Sequence, residues 1–154
     1  MLSISATMKF LNLIVPLLFL LPAKLQAQEI GMEGTLQFLN EKLKGRYQLW
    51  VDRRELNVFV FDEEGEKVRK DVMPLDDMNA NVQYYHEEGS IVLRCRIRGD
   101  HCVERRQLIK KKKDYIHRFN FSVNEDEAES IREALEHIVL LVQNPNQKRT
   151  EPFE

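Results

Sequence analysis

The hydrophobic positions of the chain change their period twice. Near the start, Leu36, Leu39 and Leu43 recur at helical spacing within TLQFLNEKLKG, and Gly45 follows them. Apolar residues three or four positions apart share one face of a helix, and glycine commonly ends one. This stretch therefore predicts a short amphipathic helix.

The segment from 46 to 122 has a different pattern. Val, Ile, Tyr and Phe are concentrated in short runs, and glycine-bearing or charged turns separate them. Such runs predict antiparallel β-strands joined by hairpins. The runs are RYQLWVD, ELNVFVFD, EKVRKDVM, NVQYYH, SIVLRCRIR and DYIHRFNFS.

A helical period returns after Asn124. We expect Asn124 to be the N-cap, Glu127 to complete a capping arrangement, and the helix to end near Asn144, before Pro145. Its apolar stripe must be covered, and the sheet is the only element large enough to cover it. The stripe consists of Ala128, Ile131, Leu135, Ile138 and Val142, widened by Ala134 and Leu141.

The order of these elements predicts an α+β fold. A short N-terminal helix precedes a curled antiparallel sheet or partial barrel of about six to seven strands, because a sheet with one buried face twists and curls. The long C-terminal helix packs on that sheet. The expected outline is that of a pleckstrin-homology-like domain.

The first 27 residues have the layout of a secretory signal peptide. Lys9 precedes an apolar run from Phe10 to Leu21, and a small residue, Ala27, marks the expected cleavage site. The run is short for a membrane span, which favours a cleaved signal peptide. A retained membrane anchor is the alternative. We expect a signal peptide at 1–27, one globular domain at 28–145 and a flexible tail at 146–154. The protein is then periplasmic or secreted and not an integral membrane protein.

The chain resembles small secreted bacterial proteins of unknown function. The resemblance covers most of the mature chain and is carried by TLQFLNEKLKG, by IVLRCRIRGDHCV and by IREALEHIVLLV. It implies a location in the cell envelope or outside the cell and a compact helix, sheet and helix domain. It implies no activity, so no catalytic residue is transferred from it.

The two cysteines bracket the turn CRIRGDHC. If Arg98 and Gly99 form a tight turn between paired strands, Cys95 lies directly opposite Cys102, at a separation of about 4.5–5.5 Å that a disulfide accepts. An oxidising compartment favours the bond, and the short loop limits its stabilisation to about 2–3 kcal/mol. We therefore predict a structural disulfide.

Three other interpretations of this turn compete with the disulfide. A zinc site needs four ligands, and His101 with the two cysteines supplies three. A thioredoxin-type pair needs cysteines at a helix start, which this sequence lacks. Arg98-Gly99-Asp100 is also an adhesive tripeptide, although the same residues are ordinary in turns.

Basic residues cluster in the fifth predicted strand and just after it, where Arg105 and Arg106 follow. Arg94, Arg96 and Arg98 alternate with apolar residues, so we expect them on one strand face. A lysine run follows. These residues predict a face for an anionic glycan, a lipid headgroup or an acidic protein, and the other interpretation is a solvated surface. The run consists of Lys110, Lys111, Lys112 and Lys113.

Net charge and the motifs that the sequence lacks limit the functions that this protein can have. The net charge of −2 becomes −4 when Lys9 and Lys24 leave with the signal peptide, which excludes a globally basic protein. We expect no nucleic-acid partner, because the chain is predicted to be secreted and its basic patch lacks interleaved aromatic residues. The four histidines are scattered, and no nucleophile elbow, phosphate loop or paired-histidine motif occurs. We expect no metal and no cofactor. The preferred interpretation is a non-catalytic binding module, and the alternatives are a small hydrolase and a structural envelope protein.

Overall fold

The structure, a computed structural model, describes residues 31–146 and Phe153. The predicted signal peptide lies outside the described residues, as does most of the predicted tail. Helix α1 spans Met32–Lys42 and helix α2 spans Glu125–Gln143. The strands are β1 (Tyr47–Asp52), β2 (Glu55–Phe61), β3 (Lys67–Pro74), β4 (Gln83–Tyr85), β5 (Ser90–Arg94), β6 (Val103–Gln107), β7 (Lys112–Ile116) and β8 (Arg118–Ser122).

The predicted α+β class is confirmed, with a short helix first and a long helix last. The strands form two antiparallel sheets and not one curled sheet. The larger sheet has the order β1-β2-β3-β6-β7, and the smaller has the order β4-β5-β8. Neither sheet closes into a barrel, and α2 contacts α1 and the smaller sheet.

The chain passes from one sheet to the other at three places. It crosses after β3, again between β5 and β6, and a third time at His117, between β7 and β8. The run DYIHRFNFS was predicted as one strand and is divided at His117. Strand β6 was not predicted, because VERRQ contains a single apolar residue, Val103, which is fully buried.

The core lies between the sheets and the two helices. Phe119 and Phe121 are fully buried, and the Tyr47 ring packs edge-on against both, with centroid distances of 6.1 and 5.2 Å. The Tyr47 hydroxyl accepts a 2.9 Å hydrogen bond from the amide of Ser122, so a strand of the larger sheet is bonded to a strand of the smaller one.

The predicted stripe of α2 faces this core. Every residue of the stripe is buried apart from Leu141, which is half-buried. Asn124 is the N-cap, but its side chain makes no capping hydrogen bond, so the predicted capping arrangement is wrong. The Glu127 carboxylate binds Lys42 of α1 instead, at 3.0 Å.

The two helices also contact the end of the chain. The Phe153 ring lies 5.1 Å from the ring of Phe38 on α1 and 5.8 Å from that of His137 on α2.

Among the described residues, no helix has the length and apolar character that crossing a bilayer requires.

Candidate functional site

The predicted disulfide between Cys95 and Cys102 is present. The sulfur atoms are 2.14 Å apart and the Cα atoms 5.8 Å apart. Its setting differs from the prediction, because the cysteines do not lie on paired strands. Cys95 follows β5 of the smaller sheet, whereas Cys102 precedes β6 of the larger sheet. The bond therefore joins the two sheets.

The turn at Arg98-Gly99 is formed locally. The Asp100 amide donates a 3.2 Å hydrogen bond to the carbonyl of Ile97, and Gly99 has a φ of +93°, which glycine adopts at little cost. The residues on either side of the turn leave toward different sheets, so no hairpin forms. Arg96 and Arg98 lie in this loop, because β5 ends at Arg94, so the prediction that they lie on a strand face is wrong.

The crossings bring arginines together in two adjoining depressions. One, of about 530 Å³, is lined by the loop after β5, and the other, of about 400 Å³, opens between β8 and the inner face of the larger sheet. Both include His117 and Arg118. We call them together the arginine cleft, and its cations are Arg69, Arg94, Arg96, Arg98, Arg105 and Arg118.

Two of these arginines are direct cross-strand neighbours. Arg94 at the end of β5 pairs in register with Arg118 at the start of β8. Like charges in this position repel each other. The buried Nε of Arg94 has no hydrogen-bond partner among the described residues, while its Nη2 bonds the Tyr85 hydroxyl. The pair is therefore an incompletely satisfied cationic site.

A buried carboxylate fixes two other arginines of the cleft. Asp71 on β3 is fully buried and accepts hydrogen bonds from Arg69 Nε at 2.6 Å and from Arg105 Nε at 2.7 Å. The Arg69 guanidinium also lies 5.4 Å from the centre of the Phe119 ring. One carboxylate faces two guanidinium groups, so the cleft keeps excess positive charge here.

The other four arginines form no such ion pair within the described residues, although Asp76 attracts Arg96 at longer range. Within 31–146, no salt bridge involves Arg94, Arg96, Arg98 or Arg118. Arg94 and Arg118 are partly buried, where charge interactions are screened less than in open water. A carboxylate or phosphate entering the cleft would meet several unpaired donors, the arrangement that suits bidentate binding.

The lysine run lies away from this cleft. Lys110 to Lys113 occupy the turn between β6 and β7 and the start of β7, at the end of the hairpin opposite Val103 and Ile116. Lys112 binds Asp114 at 3.1 Å and Lys113 binds Glu104 at 2.7 Å. The predicted single basic face is therefore divided into an arginine part and a lysine part.

The histidines form no metal site in the part of the chain that is described. His101 and His117 lie near each other, with ring centroids 6.3 Å apart. The two cysteines are joined to each other, and no cluster of three or more potential ligands occurs among the residues described. The loop therefore lacks the ligand set that zinc requires.

A third depression, of about 600 Å³, lies between β4 and the start of α2. Tyr84 and His86 line it together with Glu129 and Arg132. The Arg132 guanidinium binds Glu129 and Glu136, and its hydrogen bond to Glu129 lowers the pKa of the Glu129 carboxyl. Its charges are already matched, so it attracts an ion less than the arginine cleft does.

Comparison with known proteins identifies no relative of this chain, so the role of the arginine cleft is inferred from its own residues. No family model, no curated protein and no solved structure matches the chain. The resemblance to small secreted bacterial proteins therefore stays a prediction.

Sequence reasoning missed half of the cleft. It placed Arg94, Arg96 and Arg98, which are close in sequence, on one face, but it did not bring the three other arginines of the cleft, which come from different strands, beside them. Alternation in β3 places Arg69 on the same face as Asp71, and Arg105 is the cross-strand partner of Asp71. The signal was a charged residue at an inward position, but the pairing of β3 with β6 was needed to recognise it.

Proposed function

We propose that the protein is an exported, non-catalytic binding module that holds an anionic group in the arginine cleft. The observation that carries this proposal is the cross-strand pair of Arg94 and Arg118. Unpaired cations held side by side cost free energy in the absence of a ligand, and an anion placed between them removes that cost.

The chemistry of the cleft favours binding over catalysis. Its titratable groups other than arginine are His117, which is exposed, and Asp71, which two arginines hold. General acid–base catalysis needs a positioned proton donor or acceptor, and covalent catalysis needs an activated nucleophile. In the described residues that line the cleft, the cysteine is oxidised and no serine or threonine is present.

The ligand class follows from the donors. Guanidinium groups bind carboxylates and phosphates through two parallel hydrogen bonds. Such groups occur on acidic glycans, on lipid headgroups and on acidic proteins, which are the partners predicted from the sequence. The depressions are large enough for one such group and its immediate neighbours.

Titration with inorganic phosphate and with citrate tests the cleft. Amide chemical shifts of residues 94–99 and 117–120 should move during the titration, and Arg118→Gln should weaken binding at least about tenfold. Lys44→Gln removes the same charge from the exposed turn after α1 and is the matched control. Equal weakening by both variants, or no shift at the cleft, would reject the proposal.

The exported location is tested separately. Expression of the full chain with its first 27 residues, followed by N-terminal sequencing of the envelope fraction, should give a protein that starts at Gln28. A protein that retains the apolar run and stays with the membrane would support the anchor alternative. Neither outcome depends on ligand binding in the cleft.

A further inference from the structure

The outer face of the larger sheet carries a second group of cations, interleaved with aromatic rings. Strand register places Phe59, Lys70, Arg106 and Lys113 side by side on the face that points away from the core. We call this surface the aromatic-basic face, and its principal residues are Trp50, Phe59, Lys67, Lys70, Arg106 and Lys113.

The aromatic rings and the lysines contact one another. The Trp50 and Phe59 rings have centroids 4.9 Å apart and are tilted by 39°. Lys70 Nζ lies 5.0 Å from the Trp50 ring, and Lys67 Nζ lies 4.1 Å from the Phe59 ring. These cation–π contacts keep the two ammonium groups over the face. Neither lysine forms a salt bridge within 31–146.

The face continues across the sheet to β7. Tyr115 is 54% exposed, and Lys113 Nζ lies 5.1 Å from the centre of its ring. Glu104 is the one carboxylate in this row of contacts, and it binds Arg106 and Lys113. Five adjacent strands span about 19 Å at the usual spacing, so the surface is long and shallow and not a pocket for a small ligand.

We propose that the aromatic-basic face binds an acidic polysaccharide. The C–H bonds of a sugar ring contact aromatic faces favourably, because those faces carry negative charge density. Carboxylates at intervals along the polymer would meet Lys67 and Lys70 on β3 and Arg106 on the neighbouring β6. A polymer engages such an extended row, whereas a single anion would contact only part of it.

The geometry favours a polysaccharide over a nucleic acid. Trp50 and Phe59 are tilted relative to each other, so a flat base cannot stack on both rings, while a sugar ring needs only part of one ring. The neighbouring turn between β2 and β3 contains Asp62, Glu63, Glu64 and Glu66. These carboxylates repel a nucleic-acid duplex, which carries one charge per about 1.7 Å of its axis, more strongly than a polymer with one carboxylate per sugar.

Binding to alginate, a polymer of uronic acids, tests this proposal on the full-length protein. Dextran serves as the neutral control polymer. Lys67→Gln combined with Lys70→Gln should weaken alginate binding at least tenfold. The matched control, Lys110→Gln with Lys111→Gln, removes the same charge from the adjacent turn and should change binding less than twofold.

The aromatic contribution needs its own variants. Trp50→Ala should weaken alginate binding at least fivefold, and Trp50→Phe should keep most of it, because a ring face remains. Circular dichroism checks that each variant is folded, and the lysine variants test the proposal if Trp50→Ala does not fold. Trp50→Ala should leave citrate binding in the arginine cleft unchanged, because Trp50 lines neither of its depressions, and this separates the two sites.

Several results would overturn the proposal. These are equal losses from the two lysine pairs, unchanged binding in Trp50→Ala, and tighter binding of single-stranded oligothymidylate or of phosphatidylglycerol vesicles than of alginate. A sedimentation result that shows a dimer, dispersed by Trp50→Ala, would instead assign the face to a second copy of this chain.

Discussion

The backbone amide of Cys95 donates a 2.9 Å hydrogen bond to the carbonyl of His117. Each residue lies where the chain passes from one sheet to the other, so this bond joins two crossings. The disulfide to Cys102 closes the same region covalently. The loop that carries Arg96 and Arg98 is therefore held at both ends beside Arg118.

Removal of the disulfide should lower stability without unfolding the protein. The closed loop is short, so Cys95→Ser with Cys102→Ser should reduce the free energy of unfolding by about 2–3 kcal/mol. Citrate binding should also weaken, because the arginine loop gains freedom. Urea denaturation and citrate titration measure the two effects, with phosphine-reduced native protein as the control. Unchanged stability and affinity would contradict this prediction.

Neutralising the buried carboxylate of Asp71 should reduce the free energy of unfolding by more than removal of the disulfide does. Asp71→Asn leaves Arg69 and Arg105 without their counter-charge in a partly buried site, and we expect a loss of about 3 kcal/mol. Asp114→Asn is the matched control, because Asp114 is partly exposed and, within 31–146, its ion pair is with Lys112. Chemical denaturation of both variants provides the comparison. A similar small change in the two would show that the buried pair adds little.

The packing of α2 on the core can be tested by truncating its stripe. Leu135 and Ile138 are fully buried, and replacing either with Ala should cost about 2–5 kcal/mol. Leu141→Ala, at a half-buried position on the same helix, should cost clearly less. Thermal and urea unfolding supply the measurement. Equal costs at all three positions would be inconsistent with this orientation of the helix.

The ion pair at the aromatic-basic face should be visible in an acid titration. The hydrogen bond from Lys113, helped by Arg106, holds the pKa of the Glu104 carboxyl below its ordinary value of 4.5. A carboxylate with a lowered folded-state pKa stabilises the protein above its unfolded-state pKa, and this contribution is lost as the pH falls through the folded-state pKa.

Lys113→Gln should therefore raise the pKa of Glu104 toward 4.5. The side-chain carboxyl shift of Glu104, followed by carbon-13 NMR, reports this pKa directly. Lys112→Gln should leave it unchanged, since Lys112 binds Asp114 instead. If the control variant moves the pKa as much as Lys113→Gln does, general charge and not the specific pair is responsible.

The elements that sequence could predict are those with a simple period. The stripe of α2 and the runs of β1, β2 and β3 have spacings that physical chemistry associates with one structure, and the structure contains them. Strand β6 has no such pattern, because its inward positions hold the charged Arg105 as well as Val103. The sequence also did not predict that DYIHRFNFS divides into two strands at His117, since the residues on both sides of His117 favour β-strands.

The site depends on pairings that local patterns do not contain. Cysteine chemistry predicted the disulfide correctly, yet the prediction assigned it to a hairpin, because a two-residue turn is the simplest link between neighbouring strands. Arg118 becomes the partner of Arg94 only through the pairing of β5 with β8. The cleft is formed by contacts between residues that are far apart in sequence, and the local spacing of residues does not predict such contacts.

The repeated passage of the chain between its sheets has a consequence for folding kinetics. The larger sheet joins strands at 47–74 to strands at 103–116, and the smaller sheet is completed only by β8, which ends at Ser122. Neither sheet can therefore be completed before most of the chain has been synthesised. Native pairings such as β3 with β6 close long loops, which slows folding in domains of this size. We therefore expect a single cooperative transition on a slow time scale, in which the far-ultraviolet signal and the Trp50 fluorescence change together.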